Sequence, residues 1–156
     1  MEIIQITGDQ VGEVAVLFDK YRQFYELKSD ITLATKYLRD RVENGESIVF
    51  AARDENGYHG FTQVYTTFCS LEAQKIYVLY DLYVDAASRK NGIGRMLMNA
   101  VADKALAEGI ARIDLSTAKE NTKGQGLYEQ LGYERDNVFY SYSLSIDHPP
   151  LSTNSA

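Results

Sequence analysis

SRKNGIGRML, Ser88 to Leu97, sets two glycines one residue apart, Gly92 and Gly94, among three basic side chains, Arg89, Lys90 and Arg95. Just before it, KIYVLYDLYV (Lys75 to Val84) is rich in β-branched and aromatic residues, as a central strand is. After it, Ile93, Leu97, Ala100, Val101 and Ala105 recur at helical spacing until Gly109 ends the run. A strand that passes into a helix through such a loop presents unpaired backbone N–H groups at the positive end of the helix dipole. Anions bind at such ends. Glycine lets the main chain approach a phosphate closely, and the basic side chains add charge-assisted hydrogen bonds. The loop is not a P-loop, because Gly94 is followed by Arg95 and Met96. It is not a dinucleotide fingerprint either, because Leu97 stands where a third glycine is required. A tight turn with solvated charges is the plain alternative.

The rest of the chain builds around this unit. Glu2 to Ile6 reads as a first strand, and TGDQ (Thr7 to Gln10) has capping-box spacing ahead of a helix with Val11, Val14, Ala15, Phe18 and Tyr21 on one face. A second helix from about Asp30 carries Leu33, Ala34, Tyr37, Leu38, Arg41 and Val42 and stops at Asn44–Gly45. Ser47 to Arg53, the turn DENG (Asp54 to Gly57) and Tyr58 to Phe68 form a hairpin. Ala111 to Thr117 is a strand, Gly126 to Gly132 a short helix, and Val138 to Ile146 alternates as a last strand. The expected fold is α+β: a mixed, mostly antiparallel sheet flanked by helices, in the order βααβββαβαβ. Residues 1–146 form one domain in this reading. The tail 147–156, with Pro149 and Pro150 and no apolar period, is expected to be disordered.

Composition narrows the function. The chain has 156 residues, 45% hydrophobic and 24% charged, and a formal net charge of −6. That is the balance of a soluble globular protein. An acidic chain is a poor ligand for nucleic acid, whose phosphates want a basic face. It suits a cationic substrate, although the charge also serves solubility. No stretch has the length or apolarity of a membrane span or a signal peptide, and Cys69 has no partner for an internal disulfide, so a cytoplasmic protein without membrane contact is expected. Cys69 reads as a small structural residue.

Arg89-Lys90-Asn91-Gly92-Ile93-Gly94 resembles the [RQ]-x-x-G-x-[GA] pyrophosphate loop of the GNAT superfamily of N-acetyltransferases. DLYV (Asp81 to Val84) looks like that family's fourth strand. NTKGQGLYEQLGY (Asn121 to Tyr133) is similar to its N-x-x-A-x-x-L-Y-x-x-x-G-[FY] segment, with Gly124 in place of alanine. The blocks follow family order, and the small members similar to yeast histone, polyamine and D-amino-acid acetyltransferases match best.

The resemblance implies acetyl-CoA as donor, an amine as acceptor and no metal. It places the pyrophosphate on the backbone from about Arg89 to Arg95 and the pantetheine arm beside Leu82, Tyr83 and Val84. It also implies donor contacts from Asn121, Gly124 and Tyr128. For Asn121, a helix cap is the equal alternative. The amide of Leu82 is the expected stabiliser of the acyl oxygen's charge, and Tyr128 the proton donor to the leaving thiolate, against the alternative of a core tyrosine.

The base is not given by the resemblance. Asp81 is the best candidate, since a carboxylate inside an apolar strand needs a reason; holding the substrate ammonium or a buried polar partner are alternatives, and Glu72 is a weaker choice. The acceptor pocket is expected from Phe24, Tyr25, Glu26 and Asp30 between the first helices, from Tyr65, Phe68 and Asp81, and from Tyr140, because aromatic faces attract cations. The leading function is acetyl transfer to a small amine; protein lysine or N-terminal acetylation and a non-catalytic acyl-CoA sensor are the alternatives. The long last strand, left at a sheet edge, is expected to pair with a second copy in a homodimer.

Overall fold

The structure, a computed structural model, describes residues 1–146; the expected disorder of the tail lies outside the described residues. The first unit is Met1–Ala118. Its strands are β1 (Glu2–Gln5), β2 (Ser47–Asp54), β3 (Gly57–Cys69), β4 (Gln74–Val84) and β5 (Ile113–Leu115), and its helices α1 (Val11–Phe24), α2 (Ile31–Glu43) and α3 (Ile93–Ala107). The strands form one sheet in chain order, antiparallel except for the β4–β5 pair. That pair is parallel because the α3 crossover separates its members. This is the expected α+β, mostly antiparallel arrangement.

Adjacent strand residues face opposite layers. Val49, Ala51 and Phe61 pack in a cluster with Val11, Val14, Phe18, Ala34 and Leu38 of α1 and α2. Gly60, next to Phe61, faces α3: a Cβ there would lie 3.2 Å from Ile93 Cγ2 and only 2.8 Å from the main-chain oxygen of Tyr83. α3 buries Ile93, Leu97, Met98, Val101 and Ala105. Gly60→Ala should therefore force β3 and β4 apart and cost about 1–3 kcal/mol, read as a lower urea midpoint at unchanged slope.

Local signals account for most element ends. The Gln10 side chain accepts from the Thr7 N–H at 2.8 Å, opening a 3₁₀ turn that runs into α1. The Asp30 carboxylate caps α2 by accepting from Leu33 N–H at 2.9 Å. Leu33 itself is exposed, so the buried stripe of α2 is narrower than its apolar period implied. No helix among the described residues is long and apolar enough to cross a membrane.

The second unit begins at Lys119 and holds α4 (Thr122–Gln130). The last strand is corrected here: residues 138–146 form no strand. The Asp136 carboxylate accepts from the N–H of Val138 at 2.8 Å, a turn at the segment's start, and Val138, Phe139, Tyr140, Tyr142, Leu144 and Ile146 are all exposed. Alternation marks a face that would gain from burial; a strand also needs a neighbour to pair its backbone, and among the described residues no strand pairing involves 138–146. The dimer expectation loses the strand on which it was built.

Candidate functional site

The segment after β4 has a backbone that could hold an anion. Asp85 caps a 3₁₀ turn, Ala86–Ser88, by accepting from Ala87 N–H at 3.1 Å. Lys90 and Gly92 then take positive φ, 68° and 74°. Alternating left-handed residues turn successive amides toward one concavity. Gly92 is the N-cap of α3, whose first helical bond runs from Met96 N–H to Gly92 O at 3.0 Å. The earlier amides of that turn have no helical carbonyl ahead of them. No heavy atom lies within 4 Å of a Cβ built on Gly92, so the cradle has room on that side.

Asn91 braces the loop by donating to Ser88 O at 3.2 Å, and Arg89 donates from Nε to Val84 O at 3.0 Å. The Arg89 guanidinium also lies 6.0 Å from the ring centre of Phe24 and 5.8 Å from that of Tyr83. Arg89 thus ties the loop to the end of α1. Lys20 does the same from α1 by donating to Asp85 at 2.5 Å, which holds the Asp85 carboxyl below the usual carboxylate range.

β4 is half open. β5 follows it only at Tyr77, Val78 and Leu79. Beyond Leu79, the edge of β4 that carries Leu82 and Val84 has no strand beside it among the described residues. On its other edge, Gln63 pairs with Asp81 and Val64 with Leu79, so Tyr80 is an extra, bulged residue.

Asp81 sits at this bulge and is 6% exposed. Gln63 Nε2 donates to its Oδ2 at 2.8 Å, and Ser47 Oγ donates to Gln63 Oε1 at 2.8 Å. Ser47 thereby fixes the amide with its N–H₂ toward the carboxylate. Burial pushes the Asp81 carboxyl above the usual carboxylate range, while the Gln63 hydrogen bond and the Tyr21 hydroxyl pull the other way. The net direction is upward, so this carboxyl ionises at a higher pH than a free aspartate.

Aromatic rings surround it. Tyr21 meets Phe61, Tyr83 and Tyr25 edge-on, the last at 5.1 Å between ring centres, and Phe24 packs on Tyr25. Tyr65 lies two residues from Gln63 on the same face of β3, its ring 5.5 Å from Tyr80 and its hydroxyl 2.7 Å from that of Tyr37. Burial raises the pKa of Tyr21 and Tyr65, and the Asp81 charge raises both further. Phe24, Tyr25, Tyr65 and Asp81 are thus brought into one neighbourhood.

Other expected residues are not. Phe68 is exposed and five positions from Gln63 along β3, roughly 17 Å away. Glu72 pairs with Arg112, which also holds Asp114 and reaches the Cys69 sulfur. Asp30 is occupied as a helix cap, and Glu26 serves the left-handed end of α1 at φ 63°. Tyr140 belongs to the second unit.

In that unit Asn121 caps α4, accepting from Gly124 N–H at 3.1 Å. A Cβ on Gly124 would come within 2.4 Å of Asn121 Nδ2, so alanine here would require that side-chain amide to shift. Tyr128 lies 6.2 Å from Tyr133 between ring centres.

Sequence reasoning missed Ser47, Gln63 and Tyr21 as partners of Asp81. It also missed Asp19, which accepts from Ser29, Gln23 and the Asp30 N–H and so fixes the α1–α2 loop; the Ser29 hydroxyl bond chiefly holds its carboxyl low.

Residues 14–133 match the model of the acetyltransferase (GNAT) family. The chain is 39% identical to the uncharacterized N-acetyltransferase YhfO of Bacillus subtilis (strain 168) over 146 residues, 94% of this chain and 98% of that protein. It is 25% identical to the thialysine N-epsilon-acetyltransferase of Caenorhabditis elegans over 85% of this chain and 82% of that enzyme. A crystal structure titled "probable acetyltransferase" superposes with a TM-score of 0.88 at 30% identity, over 96% of this chain and all of that one.

Proposed function

The chain belongs to the GNAT acetyltransferase family, and on that premise we propose that it moves the acetyl group of acetyl-CoA to the primary amine of a small molecule, both substrates being bound together. Acetyl-CoA supplies an activated thioester. The observation that carries the reading is Asp81: a buried carboxylate with a raised pKa, beside the stretch of β4 that β5 leaves open.

The residues fit the donor. The backbone from Arg89 to Arg95, with its left-handed turns at Lys90 and Gly92, receives the pyrophosphate. Leu82 and Val84 offer strand-like pairing to the pantetheine arm, with Tyr83 between them, and the Leu82 N–H would stabilise the charge that builds on the acyl oxygen. Asp81 takes the proton from the acceptor ammonium. An ammonium among Tyr21, Tyr25 and Tyr65 gains from their ring faces, which favours an amine on an alkyl chain. The thialysine enzyme named above agrees with that class.

Tyr128 gives a proton to the departing thiolate. Tyr128→Phe should lower kcat about tenfold or more, with the KM for acetyl-CoA nearly kept, because the bond is made mainly in the transition state. A wild-type kcat would return Tyr128 to a packing role.

Release of free thiol from acetyl-CoA, measured against polyamines, amino acids, aminoglycosides and a histone-tail peptide, tests the whole reading. Amine-dependent release with a small molecule supports it. Release only with the peptide selects protein acetylation, and binding without release for any amine selects a sensor.

A further inference from the structure

A second bulge lies in the β2–β3 pair. Ala52 is opposite Gly60 and Arg53 opposite Tyr58, so His59 has no counterpart. Bulges re-aim side chains, and this one aims His59 at the segment leading into the Lys90–Gly92 turn. Its Nδ1 is 2.8 Å from Ser88 Oγ and its Nε2 is 2.7 Å from Asp54 Oδ1. Its main-chain oxygen accepts from Asp85 N–H at 2.8 Å. Asp54 is fixed in turn by the Asn56 N–H at 2.8 Å. From Ser88 the connections continue: its N–H donates to Asp85 O at 2.9 Å, and its carbonyl accepts from the Asn91 amide at 3.2 Å. Residues 85, 88 and 91 are therefore all tied, directly or through one neighbour, to one half-buried imidazole.

We infer that His59 is a positioning residue for the donor: the Asp54–His59–Ser88 chain holds the entry of the pyrophosphate loop and thereby sets the affinity for acetyl-CoA. The inference rests on the loop assignment made above. Its physical basis is preorganisation. Lys90 holds a left-handed φ that only glycine adopts without cost. A loop not braced on its entry side would relax from that geometry and pay for ordering again on binding.

Calorimetric titration of acetyl-CoA into wild type, His59→Ala, Ser88→Ala and His59→Asn tests this. Losing one such hydrogen bond should weaken binding about 3- to 10-fold in the two alanine variants. His59→Asn should recover most of it, since its amide places a polar atom where Nδ1 was. A truncated donor, S-acetylpantetheine, has no pyrophosphate, and its kcat/KM should be the same in all four proteins. Unchanged acetyl-CoA affinity in His59→Ala overturns the inference alone. Equal losses for both donors overturn it too, by showing general damage. Thiol release from acetyl-CoA without amine that vanishes in Ser88→Ala would make Ser88 a nucleophile, since Ser–His–Asp is also the order of a catalytic triad, and would likewise overturn it. A wild type that binds no acetyl-CoA refutes the loop assignment and the inference with it.

Discussion

Asp81→Asn is expected to lower kcat about 10²- to 10⁴-fold while the protein melts no lower than wild type. The two halves of that expectation have one cause. Asp81 is a buried carboxylate whose neighbours include a glutamine amide and a phenol, and among the described residues no cation pairs with it. Asparagine has its shape and can still accept from Gln63 Nε2, so packing and that hydrogen bond survive. What goes is a charge whose burial is costly and a group able to take a proton from an ammonium.

The pH dependence follows in sign. Burial, the leading cause, raises the folded-state pKa of Asp81 above its unfolded value. Between those two values the native state binds more protons than the unfolded one, so this group's contribution to stability is largest at low pH and is lost as pH rises through the raised pKa. Activity runs the other way, because the base must be ionised: kcat should climb through the same raised pKa. Asp81→Asn should lack both limbs. Thiol-release rates and melting curves across about pH 4 to 8 read the two together. A variant with kcat within about twofold of wild type would leave the deprotonation to water and reduce Asp81 to a structural role.

How far the chain disclosed this site depends on how local each feature is. Gly92 and its neighbours were legible because a left-handed N-cap between a strand and a helix is written in adjacent residues. Asp81 was legible as an exception, the one carboxylate inside KIYVLYDLYV. Its environment was not. Gln63 meets it only because the β3–β4 register slips at Tyr80, and His59 meets Ser88 only because β2–β3 slips at His59. No pattern of period two encodes a bulge, since each slip depends on what two strands far apart in the chain can jointly pack. Asp30 and Asn121 show the opposite case. Each was a candidate for chemistry, and each has its side chain on a helix-capping amide at close range. The alternation of Val138 to Ile146 was real, but alternation records the wish for a partner and not its presence.

Gly92→Asp is expected to weaken acetyl-CoA binding by at least about 100-fold. Two separate penalties act at this position. Gly92 holds φ 74°, a region that a side chain enters at a cost of roughly 1–2 kcal/mol. The second is electrostatic: a carboxylate would stand at the N-cap of α3, where the pyrophosphate's own charge is to be neutralised by amides and the dipole. Crowding by existing atoms contributes nothing, because the space around a Cβ at residue 92 is empty for 4 Å. That makes the two penalties separable. Asparagine tolerates the left-handed region and carries no charge; alanine is strained and neutral; aspartate tolerates the backbone nearly as asparagine does but repels the ligand. Affinity should therefore fall in the order Gly, Asn, Ala, Asp if the loop binds an anion. A carboxylate at an N-cap favours the helix itself, so the melting temperature of the free Asp variant should stand at or above that of the Ala variant. Weaker binding at higher intrinsic stability is a combination that general damage does not produce. Calorimetric titration of acetyl-CoA and melting curves of the four proteins supply both readings. If Gly92→Asp binds acetyl-CoA as tightly as Gly92→Asn, charge has no part in recognition at this loop, and the pyrophosphate must be held elsewhere.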